Sequence, residues 1–356
     1  LPEDRVDRNL FPQCAVAGEQ EFDVIHADLL RFFPELVRNL GGDPKAMMRR
    51  LGIEPSRVLN GEPNLSYRSW VNLLEQAAAE LHCRDFGMRL AQLQGGGKVF
   101  GPMGEVMRNS NTFGEAIEYV ANHFHAHSLA AGMRLERDRA TRNLFVGHEI
   151  LLDRLPNKRQ AIEQALLLAH LNAGEITRGQ ARVREVHFRH QSLSSRDTYR
   201  SYFGTAICFD QQEDGVVFSE RDLRAPILDR NACLYQAATS FINTRFRRVA
   251  QPMHARVRAL IVRRIETEDC SNERICDELG LHPRTLHRRL RAEGKSFEGI
   301  KDEVRRDVAM RYIQETNHPL TFIAEKLGYA EQSVLTRSCV RWFSVPPSAL
   351  RSRALD

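Results

Sequence analysis

The stretch Gly280–Gly294, GLHPRTLHRRLRAEG, sets four arginines and two histidines within fifteen residues. Its reading depends on what flanks it. Upstream, NERICDEL (272–279) carries Ile275, Cys276 and Leu279 on one apolar stripe that stops at Gly280. Downstream, Pro283 stands at the first position of a new helix, where its missing N–H costs nothing. A short helix, a glycine-containing turn and a second helix form the helix-turn-helix pattern.

On a wheel of about 100° per residue, Leu286 and Leu290 fix the buried direction of the second helix. Arg284, Arg288 and Arg291 fall on the opposite face, with Thr285 and His287 on its flanks. Arg289 lies nearer the buried side and is expected to pair with an acidic neighbour. An arginine stripe of this kind suits phosphate and the guanine edge.

The same design recurs about forty-eight residues on, in LTFIAEKLGYAEQSVLTRSCVRWF (320–343). Ile323, Ala324 and Leu327 mark the first helix, and Gly328-Tyr329 the turn. In the second helix Leu335, Cys339 and Trp342 are expected inward, Ser333 and Arg337 outward, with Val334 and Thr336 beside them. Between the units, SFEGIKDEVRRDVAMRYIQET carries Phe297, Ile300, Val304, Val308, Tyr312 and Ile313 at helical spacing. That predicts one continuous helix of roughly 30 Å. Two units on such a strut can reach successive major-groove segments on one face of DNA.

The first two-thirds read differently. Helices are expected over VIHADLLRFFPELVRNLG (24–41), over SYRSWVNLLEQAAAELHC (66–83) with Ser66 as N-cap, and over NTFGEAIEYVANHFHAH (111–127). Alternation in HSLAAGMRLERD and NLFVGHEILLD predicts two strands joined near Arg139–Thr141. A helix returns at NKRQAIEQALLLAHLNAG, and VREVHFRHQ and AICFDQQEDGVVFS read as short strands. The organisation expected is an irregular segment over 1–23 and an α+β domain over 24–225. A helical linker over 226–249 and an all-α double helix-turn-helix domain over 250–353 follow.

Composition narrows the function classes. The net charge of +5 is uneven: residues 245–356 hold 22 Lys/Arg against 15 Asp/Glu, the rest 29 against 31. The excess of positive charge in the last third points to a polyanionic partner. No apolar run approaches a membrane span, and the start of the chain lacks a secretory core. The seven cysteines are scattered without a C-x-x-C pair, which suits a reducing cytoplasm and offers no zinc site. His123, His125 and His127 place an H-x-x-x-H on one helix face, but nothing nearby completes a metal site. QGGGKVFGP lacks the spacing of a nucleotide loop, and no catalytic motif appears. No enzyme, metal or cofactor is expected. An alkyl-accepting repair protein, the alternative in the enzyme class, would need a cysteine in an activating basic context.

LGLHPRTLHRRLRAEGKSFEGIKDEVRRDVAMRYI and IAEKLGYAEQSVLTRSCVRWFSVPPSALR resemble the DNA-binding domain of the AraC/XylS family of bacterial transcription regulators. GPMGEVMRNSNTFGEAIEYVANHF and YRSYFGTAICFDQQEDGVVFS resemble the arabinose-binding-like effector domain of the branch that contains the ornithine-utilisation regulators. The resemblance implies a cytoplasmic regulator that binds double-stranded promoter DNA and a small-molecule effector. It also implies a homodimer that recruits RNA polymerase, as an activator, with repression the alternative. It marks Arg284, His287 and Arg288 as base readers of the first unit and Gln332, Ser333, Val334, Thr336 and Arg337 as their counterparts in the second. Arg291 is better placed for phosphate. This chain departs from the family pattern at His282 (usually Ser), Cys339 (usually aromatic), Ser344 (usually Gly) and Val340 (often basic). The second unit is therefore expected to pack more loosely and to hold phosphate less strongly.

Overall fold

A computed structural model describes residues 22–56, 64–155, 157–246, 251–266 and 270–352. The expectation for the irregular N-terminal segment lies outside these residues except at Phe22 and Asp23, as does Cys14.

The first region opens with the strand β1 (Ile25–His26), a 3₁₀ turn at Ala27–Leu30, and the helices α1 (Phe33–Asn39) and α2 (Pro44–Arg50). The single helix expected over 24–41 is thus broken. Phe32 sits at φ 66°, and Pro34 occupies the first turn of α1. Proline lacks the N–H that would continue a helix and clashes with the carbonyl four residues back, so the chain must restart. β2 (Asn64–Leu65) pairs antiparallel with β1.

Then come α3 (Tyr67–Glu80), α4 (Phe86–Gln94), α5 (Gly101–Asn109) and α6 (Phe113–His123). Ser66 caps α3 by accepting from the Ser69 N–H, as its position before the apolar periodicity predicts. α6 ends earlier than expected. The chain tightens to 3₁₀ geometry over Phe124–Ala126, so His123 and His127 do not share a helix face.

The main sheet holds β3 (Ala131–Arg137), β4 (Leu144–Ile150), β5 (Glu185–His187), β6 (Ala206–Cys208) and β7 (Gly215–Phe218). Its order is β3-β4-β7-β5-β6, antiparallel except for the β5–β6 pair. The Asp138 carboxylate closes the β3–β4 hairpin by accepting from the N–H groups of Ala140 and Thr141. α7 (Arg159–Ile176) lies across the sheet, and α8 (Arg196–Phe203) and α9 (Glu220–Leu223) complete the layer.

α10 (Ala232–Arg245) starts six residues after the expected position and packs on α5, with Ala238 and Ile242 fully buried in the first core. The helix expected to serve as a linker is in this respect part of the first region.

The second region is all helix: α11 (Met253–Arg264), α12 (Asn272–Leu279), α13 (Pro283–Ala292), α14 (Phe297–Glu315), α15 (Leu320–Lys326), α16 (Gln332–Phe343) and α17 (Pro347–Ser352). All six apolar positions read for the strut are buried along α14, and both units share its core. An α+β region followed by an all-α region with two helix-turn-helix units on one long helix is the architecture the periodicities predict.

Candidate nucleic-acid interface

Each unit turns at a glycine in the left-handed region, Gly280 at φ 62° and Gly328 at φ 67°. Only glycine adopts this conformation without a Cβ penalty, and both residues follow the end of a first helix. The second helices then emerge with their apolar faces down. Leu286 and Leu290 are buried in α13, Leu335 and Cys339 in α16. Trp342, expected inward, is half-buried; its Nε1 donates to Asp302 on α14 at 2.9 Å.

The outward faces carry the expected candidates. Arg284, His287, Arg288 and Arg291 are exposed on α13, with Thr285 half-buried at the flank. On α16 Gln332, Ser333 and Arg337 are exposed, and Val334 and Thr336 are half-buried. Two of these hydroxyls are engaged locally: Ser333 donates to Glu331 at 3.0 Å, and Thr336 to the Gln332 carbonyl at 3.2 Å. His287 Nε2 lies 3.0 Å from the Asn272 amide, which tethers the ring to α12.

One residue departs from its expected role. Arg289 is exposed, and among the described residues no ion pair forms with it. Nothing acidic on the neighbouring helices reaches it, so it joins the outward cations. Among the described residues Arg284, Arg288, Arg289, Arg291 and Arg337 all lack an ion-pair partner. Five guanidinium groups left to water on two parallel-purpose helices form a surface ready for an anion.

The strut positions both units through polar contacts. Lys301 donates to the Cys270 carbonyl at 2.6 Å beside the first unit. Arg305 donates to the Leu327 carbonyl at 2.9 Å and stacks over the Tyr329 ring at 4.5 Å, fixing the second turn. The end of α13 is bolted to α11 by Glu293, which accepts from the Met253 N–H at 2.7 Å and the His254 N–H at 2.8 Å. Partial burial would raise the Glu293 carboxyl; these backbone donors and His254 outweigh it and hold it below the usual carboxylate range.

The two regions meet across ion pairs that connect residues far apart in sequence. Glu266, at the end of α11, accepts from Arg311 at 2.6 Å, from Arg189 at 3.3 Å and from the Tyr312 hydroxyl at 3.1 Å. Burial would raise this carboxyl, but Arg311 and Arg189 keep it low. Arg159 pairs with Glu315 at 3.4 Å, and Lys295 with Asp153 at 3.2 Å. Arg159, Arg189 and Asp153 belong to the first region; the others belong to the second.

Three of the described cysteines are unsuited to alkyl transfer. Burial pushes the thiols of Cys83, Cys208 and Cys339 up to about 11, the reverse of an activated thiolate. Glu185, His187 and Cys208 draw together at the sheet edge, a grouping their sequence spacing does not reveal. There the Glu185 carboxylate accepts from the Cys208 thiol at 3.1 Å and faces His187 Nε2 at 3.4 Å.

Two turn units on a common strut, each with its polar face outward, define a helix-turn-helix transcription regulator. Known proteins agree. Residues 275–353 match the model of a helix-turn-helix domain, and residues 41–227 match the arabinose-binding domain of AraC transcription regulators. HTH-type transcriptional regulator VirS of Mycobacterium tuberculosis is 34% identical over 333 residues, 92% of this chain and 96% of that protein. The ornithine utilization regulator of Pseudomonas aeruginosa is 23% identical over 325 residues, covering 89% and 93% of the two chains. The crystal structure of the transcriptional regulator CdpR from Pseudomonas aeruginosa aligns over 90% of this chain and 98% of its own, at 20% identity and a TM-score of 0.41. The chain belongs to the AraC family of transcription regulators. Among the described residues no helix is long and apolar enough to cross a membrane.

Proposed function

We propose that the protein is an effector-responsive activator of transcription that reads two successive major-groove segments per protomer. Residues 24–225 sense the effector and pair protomers into a homodimer. Residues 226–249 connect this region to residues 250–353, which hold the promoter DNA and present a surface to RNA polymerase in a bacterial cytoplasm. The observation that carries the reading is the matched pair of exposed helix faces on one strut, with five guanidinium groups that have no ion-pair partner among the described residues.

In this reading Arg284 and Arg288 donate to guanine O6 and N7, and Gln332 pairs with adenine. His287, Thr285, Ser333, Val334, Thr336 and Arg337 shape the same two contacts. Arg291, joined by Arg289, holds phosphate, which fixes register without reading sequence. The ion pairs of Glu266, Glu315 and Asp153 with the opposite region hold one arrangement of the two regions, and an effector shifts the population between arrangements.

The test is selection of bound duplexes from a random library by the full chain, followed by titration across salt. The expected outcome is an enriched site with two short determinants about one helical turn apart, and an affinity that falls linearly with log salt. Enrichment of nothing above random DNA would defeat the reading.

A further inference from the structure

The first region encloses a cavity of about 100 Å³ between β3, β4 and β7 of the sheet and the helices α3, α5, α6 and α7. Its walls are mainly aromatic, aliphatic and thioether side chains, interrupted by the amides of Gln164 and Asn172 and the rings of His127 and His148, and among the described residues that line it there is no Lys, Arg, Asp or Glu. Three buried polar atoms in lining residues have no hydrogen-bond partner, Trp70 Nε1, Gln164 Oε1 and Asn172 Oδ1. The Gln164 amide is held in place because its Nε2 donates to Gln94 at 2.7 Å, which leaves the oxygen as the free acceptor. Buried polar atoms are ordinarily satisfied, so one free donor and two free acceptors in one mainly apolar chamber mark places for ligand atoms.

We infer that this cavity is the effector site and that it takes a compact, uncharged, mainly apolar molecule carrying at most a few hydrogen-bonding atoms, rather than a sugar or a charged amino acid. The inference rests on the reading of the first region as an effector domain. A carboxylate or ammonium group entering here would lose its water without meeting a counter-ion. The two histidines in the wall do not supply one. Burial pushes His127 down to about 3 and His148 to about 4, so both rings are neutral at physiological pH. A pentose would bring more hydrogen-bonding groups than the free indole and amide atoms of Trp70, Gln164 and Asn172 can pair. An apolar cavity of about 150 Å³ admits benzene, so at about 100 Å³ the upper bound on the occupant is one small ring or a short branched chain. Gly147 and His148 of β4 also line a second cleft that Gln251, Ala259 and Arg263 of the DNA-binding side complete. Occupancy is thereby felt one strand away from the second region.

The test uses the full chain carrying Trp342→Phe, so that Trp70 is the remaining one of its two tryptophans. Benzyl alcohol is the neutral probe; arabinose, ornithine and benzoate are the polar and charged ones. Benzyl alcohol should change Trp70 emission saturably and raise Tm by at least about 2 °C. Ala169→Leu, which fills the cavity, should abolish both effects while still melting cooperatively. Gln164→Leu should weaken benzyl alcohol at least fivefold and leave toluene bound. The inference is overturned by three results: no saturable response to benzyl alcohol, a response that Ala169→Leu leaves intact, or binding of arabinose, ornithine or benzoate that Ala169→Leu abolishes. DNA titration run in parallel separates the two readings: failure to select a site strikes the regulator and leaves the cavity result standing.

Discussion

The two helix-turn-helix units share a plan and differ in how firmly each is built. In the first, His282 caps α13 by accepting from the Arg284 N–H at 3.2 Å; in the second, Glu331 makes no side-chain cap. The buried pair is Leu286 and Leu290 in one and Leu335 with the smaller Cys339 in the other. The left-handed residue after each recognition helix is Gly294 at φ 67° in the first and Ser344 at φ 61° in the second. Among the described residues, four guanidinium groups without an ion-pair partner lie on α13 against one on α16. Val340, 47% exposed, is apolar where a cation would help. Local stability and positive charge thus concentrate in the same unit. The first unit is the anchor, and the second is a weaker reader carried by the strut.

Core truncation should show the largest asymmetry. Leu290→Ala removes a fully buried side chain and should cost about 2–5 kcal/mol in chemical denaturation. Cys339→Ala removes only a sulfur and should cost less than about 2 kcal/mol. Equal losses would mean that the two cores are equally tight. On DNA, Arg288→Ala should cost about 1–3 kcal/mol on a selected site and relax one base preference. Arg337→Ala should fall below that range, with a salt slope reduced by no more than about one.

Smaller effects probe the ends of the helices. Glu293→Gln weakens the bolt between α13 and α11 and should cost about 0.5–2 kcal/mol near neutral pH, by analogy with a lost cap. Because the folded state depresses this carboxyl, its contribution is present above the ordinary glutamate pKa, about 4.3, and is lost as pH falls through the folded value. The gap in Tm between wild type and Glu293→Gln should therefore close as pH drops from about 6 toward 3. A gap that stays constant would show that the charge is not what holds the bolt. Smallest of all, Ser344→Gly should gain roughly 1 kcal/mol by relieving a left-handed serine. Gly294→Ser should lose a similar amount, and a thermal melt of each variant reads both.

The strut and both turns were legible because their signals are local. Apolar residues recur at helical spacing from Phe297 to Ile313, and glycine stands where the chain must turn left-handed. Ser344 was legible as a departure, and its φ of 61° gives the departure a physical cost. What could not be read depends on residues brought together from afar. Arg289 lies close enough to the wheel's buried side to suggest an ion pair, and only the neighbouring helices reveal that none forms among the described residues. Glu266, Arg189 and Arg311 are separated by tens to more than a hundred positions, and no spacing rule joins them. His127 reads as the end of a histidine-rich helix, yet the 3₁₀ turn at Phe124 swings it into the cavity wall. Helix breakage at Phe32 was readable in principle from Pro34; the apolar periodicity on both sides masked it.

The most direct test of the anchor-and-reader account is the affinity of Arg288→Ala and Arg337→Ala measured side by side on the selected site and on random DNA. The account predicts that Arg288→Ala loses more affinity on the selected site than on random DNA, and more than Arg337→Ala loses on either. Equal losses for Arg288→Ala on both DNAs, or a larger loss for Arg337→Ala on the selected site, would contradict it.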